Sequence, residues 1–176
     1  MKLFKKLAAA ALAAVLALSM VGCGAGGTGS GDITGAVKDY LADQIKMSYG
    51  ITAEHKDDLD TLAENLIREA NKASETDANK GKTVLELVSD PAVTKAAGIE
   101  DASSYRFVLI KSTFTSNTFN DNKVKLLGNG LYSGLYNVEH QIVKVKAEEY
   151  GLANGKIGGT EYLLMLVKVS ASTEQP

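Results

Sequence analysis

The chain has 176 residues, 19 basic against 21 acidic side chains, a net charge of −2, one cysteine and no tryptophan. An acidic balance without a basic patch argues against nucleic acid as the partner. The missing tryptophan argues against an aromatic carbohydrate platform, and a lone cysteine excludes a disulfide within the chain.

Lys2, Lys5 and Lys6 precede an uncharged, Ala/Leu-rich stretch from Leu7 to Val21. That stretch falls short of the roughly 20 apolar residues a membrane-spanning helix needs. A basic head, a short apolar middle and small residues at the end form the layout of an export signal, which is removed. The signal closes on "MVGC", Met20 to Cys23, which resembles the lipobox of bacterial lipoproteins, with Gly22 standard and Met20 standing where Leu is usual. The resemblance implies cleavage between Gly22 and Cys23 and diacylglycerol on the Cys23 thiol. Residues 1–22 are then a cleaved signal peptide, and Cys23 holds the chain on the extracytoplasmic face of the cell membrane. Two acyl chains anchor a protein stably, whereas one is marginal. An ordinary signal peptide followed by an incidental free thiol is the alternative. "GAGGTGSG", Gly24 to Gly31, reads as a flexible tether with a reach on the order of 15 Å.

Residues 32–170 are expected to form a single globular domain, long enough for a real core. Its first half reads as helical. Thr34 is placed to cap a helix whose Val37, Tyr40, Leu41, Ile45 and Ser48 share a face. Leu59, Leu62, Ala63, Leu66, Ile67, Ala70 and Ala73 recur at spacings of three and four, the clearest helical stripe in the chain. Asp57 and Asp58 suit the positive end of its dipole. "TVLE", Thr83 to Glu86, matches a capping box for a helix ending near Ser89. Asp90 and Pro91 then start a short helix to Ala97, with Gly98 as its stop.

The second half changes period. "YRFVLIKSTF", Tyr105 to Phe114, and "EYLLMLVKVS", Glu161 to Ser170, read as strands apolar on both faces. Gln141 to Glu148 alternate, with Val143, Val145 and Ala147 on one side. Glu149 to Thr160 reads as a long loop joining the last two strands into a hairpin. "GNG", Gly128 to Gly130, reads as a turn inside a stretch that the pattern does not assign. Residues 171–176 read as a frayed tail. Helices first and strands later give an α+β domain, N-terminal helices packed on a C-terminal antiparallel sheet of three or more strands, with an α-β-α sandwich as one form of it.

The densest polar cluster is "EHKDDLD", Glu54 to Asp60. It offers one histidine and several carboxylates, yet lacks the two-histidine spacing of zinc sites and the glycine of an EF-hand loop. It reads as a solvated helix start, and no metal is assigned. Glu139 and His140 stand at the start of the second strand, where neighbours point to opposite faces. His55, Glu139 and His140 are therefore the candidate ligand-binding residues. Tyr132, Tyr136, Tyr150 and Tyr162 either line a shallow surface or pack ordinarily. "GKIGGT", Gly155 to Thr160, lacks the Lys-Ser/Thr ending of a phosphate loop, because Ile157 follows Lys156. No nucleophile elbow or paired-histidine zinc motif occurs.

"GITAEHKDDLDTLAENL" and "YGLANGKIGGTEYLLMLVKV" resemble the first helix and closing strands of a degenerate CAP domain, the α-β-α sandwich of secreted cysteine-rich proteins. That family's cleft pairs two histidines with two glutamates. Here His55 precedes the helix and "AEN", Ala63 to Asn65, lies inside it, so the resemblance implies that the metal-type cleft is lost.

These readings lead to a membrane-anchored lipoprotein with a non-catalytic binding or scaffolding domain at the cell envelope. Its partners are the membrane, through the anchor, and an envelope protein or ligand. No catalytic residue and no cofactor beyond the acyl chains on Cys23 is expected. The alternatives are a CAP-like domain with a residual metal-, lipid- or peptide-binding cleft, and an envelope hydrolase using a carboxylate pair from Glu54, Asp57 and Glu139.

Overall fold

The apolar spacing of the first helix is realised as α1, Ile33–Met47, which buries Val37, Leu41 and Ile45. A computed structural model describes residues 33–48, 50–112, 121–140 and 145–171. The export signal, Gly22, Cys23, the tether and the tail beyond Ala171 lie outside the described residues. Thr34 falls within the first turn of α1 and not ahead of it.

After β1, Glu54–His55, comes α2, Asp57–Ser74. It buries Leu59, Ala63, Leu66, Ile67 and Ala70, and carries Asp57 and Asp58 in its first turn, as the stripe predicts. The capping box forms as expected. The Thr83 N–H donates to Glu86 at 2.7 Å, and the Glu86 N–H donates to the Thr83 hydroxyl at 3.2 Å, starting α3, Val84–Val88. Asp90 caps α4, Pro91–Ala96, by accepting from the Ala92 N–H at 2.9 Å. Gly98 then leaves the helix at φ +94.

Strand β2 is Tyr105–Lys111, shorter than expected, and residues 113–120 lie outside the described residues. The unassigned stretch with its "GNG" turn is a single helix, α5, Asp121–Glu139. Its glycines answer to packing: a Cβ on Gly128 would lie 2.3 Å from the Tyr40 ring, and one on Gly134 would lie 2.3 Å from Val108. The long loop from Glu149 is also absent. Strand β3 runs from Val145 to Ile157 and turns through Gly158–Gly159 into β4, Thr160–Ala171. Both turn glycines have positive φ, which a two-residue hairpin turn requires.

The strand order is β1-β3-β4-β2. β3–β4 and β4–β2 are antiparallel, but β1 runs parallel to β3, so the sheet is mixed and takes one strand from the N-terminal half. A bulge between Ala147 and Glu149 reverses the facing of β3. Ala147 before it and Tyr150 and Leu152 after it therefore share one core. That core joins α1 and α5 to one face of the sheet. A second core joins α2, α3 and α4 to the other face through Ala153, Ile157, Leu164 and Leu166. The domain is α+β, and its layers form an α-β-α sandwich.

Candidate functional site

The site is organised by Asp60, an acid on the buried side of α2, only 9% exposed. Its carboxylate accepts from Lys38 of α1, which forms a close ion pair with it. It also accepts from His55 Nε2 of β1, 3.0 Å from each oxygen, and from the Leu152 N–H of β3 at 2.6 Å. One side chain thus ties α1, β1, α2 and β3 together. The reason lies in the ladder. β1 ends after two residues, and the Lys56 N–H makes the last bond to β3, to the Tyr150 carbonyl at 2.9 Å. Leu152 then turns its N–H toward a strand that has already become helix, and Asp60 supplies the missing acceptor. Gly151 makes this geometry attainable, since a Cβ there would lie 2.2 Å from the Leu59 carbonyl carbon and 2.4 Å from the Asp60 nitrogen.

A carboxylate only accepts, so His55 carries its proton on Nε2 and, when neutral, keeps Nδ1 as an acceptor. Nδ1 lies 3.8 Å from Asp57, beyond hydrogen-bond range. Beside the ring opens a cleft of about 420 Å³ between the end of α1 and β1. Its walls include Ala42, Ile45, Ile51 and Ala53, with Lys46, Ser48, Thr52, Glu54, His55 and Tyr150 as polar members. Tyr150 meets His55 edge to face, with ring centres 5.6 Å apart. Burial first, and the charge of Asp60 second, push its phenol up to about 12, so it stays an O–H donor at neutral pH. Glu54 bonds Lys56 at 2.8 Å, and that bond and charge hold its carboxyl below the usual range.

His55, Asp57 and Asp60 place ligand atoms within 4.8 Å of one another. A cation there would compete with the Lys38 ammonium and the His55 Nε2–H, which already occupy Asp60. The donor set therefore fits an ion-pair junction better than a metal centre.

The other predicted residues lie elsewhere. Glu139 and His140 are at the C-terminal end of α5 and not on a strand, so opposite-face reasoning does not apply to them. Glu139 accepts from the Ala147 N–H at 3.2 Å, and burial raises its carboxyl above the ordinary range. His140 is exposed, stacks on Tyr136 at 3.9 Å and does not line the cleft. The four tyrosines form no common surface: Tyr150 is buried, Tyr132 packs against the α1–α5 core, Tyr162 packs against the α2 core, and Tyr136 is exposed. Lys38 and Asp60 were not among the predicted residues. A signal existed for the second, because Asp60 stands three and seven residues before Ala63 and Ile67, on the apolar stripe itself.

Comparisons of the chain with protein-family models, curated proteins and solved structures find no match. Among the described residues, no helix is long and apolar enough to cross a membrane.

Proposed function

We propose that the chain is an exported lipoprotein, anchored through Cys23 at the outer face of the cell membrane, whose domain binds a ligand or envelope protein without catalysis. The observation that carries the non-catalytic reading is the saturation of Asp60. This buried carboxylate, behind the His55 ring and outside the cleft wall, is committed to Lys38, His55 and Leu152, so it serves as a strut. The cleft itself offers a ligand an apolar wall with the His55 imidazole, the Tyr150 phenol and the polar groups of Lys46, Ser48, Thr52 and Glu54, a combination that recognises shape and a few polar contacts. The basic head, the apolar middle and "MVGC" support the anchor. A residual cleft of the CAP-like kind is the second reading, favoured by the helices on both sheet faces and by the place of His55 in the cleft wall.

The test has two arms. Wild type should incorporate labelled fatty acid and fractionate with membranes, and Cys23→Ala should do neither; continued labelling of Cys23→Ala would end the lipobox reading. Peptidoglycan and glycan fragments should be bound or ignored but not cleaved. Turnover lost in Glu54→Gln or Asp57→Asn would replace this proposal with an envelope hydrolase.

A further inference from the structure

Strand β2 closes one side of the sheet, and its hydrogen-bonding parity can be read directly. The Ser112 N–H donates to the Glu161 carbonyl at 2.8 Å, in register with the β2–β4 ladder. Arg106, Val108 and Ile110 therefore bond inward to β4, while Tyr105, Phe107, Leu109 and Lys111 turn their N–H and C=O groups outward. Two bonds agree with this parity. The Tyr105 N–H donates to the Ala102 carbonyl, and the Tyr105 carbonyl accepts from the Arg106 guanidinium at 2.8 Å. Phe107 to Ile110 have none of the devices with which edges are guarded: no charge, no proline and no bulge. Among the described residues no strand lies beyond them.

Helix α5 packs on one face of this strand, with Gly130 against Ile110 and Gly134 against Val108. At 100° per residue, the flank next to Gly130 carries Leu126, Ser133 and Asn137. All three are exposed, and Leu126 is 65% exposed.

We propose that two copies of this chain pair through the β2 edge, antiparallel about a two-fold axis at Val108, so that two sheets become one. The occupant follows from the register. With Val108 opposite itself, Phe107 faces Leu109 of the second copy in hydrogen-bonded pairs, which engages the outward groups. Arg106 then faces Ile110, and Lys111 faces Tyr105, so no like charges meet and each end gains a cation over an aromatic ring. The α5 flanks come side by side across the same axis. Small residues there, Gly130, Ser133 and Gly134, permit close approach.

The test is sedimentation equilibrium of the full chain in detergent, together with hydrogen exchange. The expected result is twice the chain mass, with slowed exchange at the Phe107 and Leu109 amides. Ser133→Arg with Asn137→Arg sets like charges across the axis and should weaken pairing about a hundredfold, with helix content and melting temperature unchanged. Leu85→Arg, at an exposed position elsewhere, should leave the dimer intact. A monomer at every concentration overturns the proposal. A dimer that survives the double variant is held elsewhere, for instance by acyl chains, and also overturns it. Slow exchange of the two amides in a monomer would mean that the chain covers its own edge, with the same consequence.

Discussion

The carboxylate of Asp60 lies 2.6 Å from the amide nitrogen of Leu152, 92 residues further along the chain. Through this bond the start of α2 completes the ladder that β1 leaves unfinished. Removing the acid leaves a buried N–H unpaired and Lys38 without its counter-charge. Asp60→Ala should cost about 3 kcal/mol in urea unfolding. Asp60→Asn, which keeps an acceptor for Leu152, should cost less. A loss in Asp60→Ala no greater than the roughly 1 kcal/mol expected of the helix cap in Thr83→Ala would show that the junction is not a strut.

Gly151→Ala and Gly134→Ala should separate two kinds of close contact. At Gly151 the obstacle is the backbone of Leu59 and Asp60, which cannot rotate away, and about 3 kcal/mol should be lost. At Gly134 the obstacle is the Val108 side chain, and the helix itself favours alanine over glycine by about 1 kcal/mol. The second variant should melt well above the first. Equal melting temperatures would contradict the approach of α2 to β3 described above.

Tyr150 predicts an alkaline transition. The fold favours its neutral phenol, raised from 10.0 to about 12, so its contribution is complete below 10 and is lost as pH rises through 12. An absorbance titration should show a late step near pH 12, and Tyr150→Phe should remove that late step. If the late step persists in the variant, it belongs to another tyrosine.

Glu139 predicts a gain from substitution. Burial raises its folded carboxyl above the unfolded value, so the folded state holds the extra proton and stability falls as pH rises through that interval. Glu139→Gln keeps an acceptor for the Ala147 N–H and removes the charge. It should melt higher than wild type at neutral pH, and the gap should close in acid. Glu86 and Asp90 act in the opposite sense: hydrogen bonds hold their carboxyls low, and their contributions disappear as pH falls.

Where the sequence pattern succeeded, local chemistry decided the structure. The stripe of α2, the Thr83–Glu86 box and the Asp90–Pro91 start each depend on neighbours within a turn or two. Where it failed, glycine was the reason. Gly128, Gly130 and Gly134 suggest a break, and Gly151 and Gly155 suggest a loop, yet each is small because another element passes close by. That information lies in the partner, far away in the chain. The candidate site divides in the same way. His55 was legible as a chemical type, but Lys38 and Asp60 become neighbours only once α1 and α2 pack around β3.

The position of β3 and β4 in the chain carries one more consequence. They are the middle of the sheet but follow every other described element in the chain. Helices α1 to α4 must therefore leave the ribosome with their apolar stripes uncovered, and β1 has nothing to pair with until residue 149 follows. Such a topology delays cooperative folding until β4 has been made. A chain that cannot close early remains threadable, as the proposed export route requires, and a ribosome stalled before β4 would release a polypeptide fit only for chaperones or proteases.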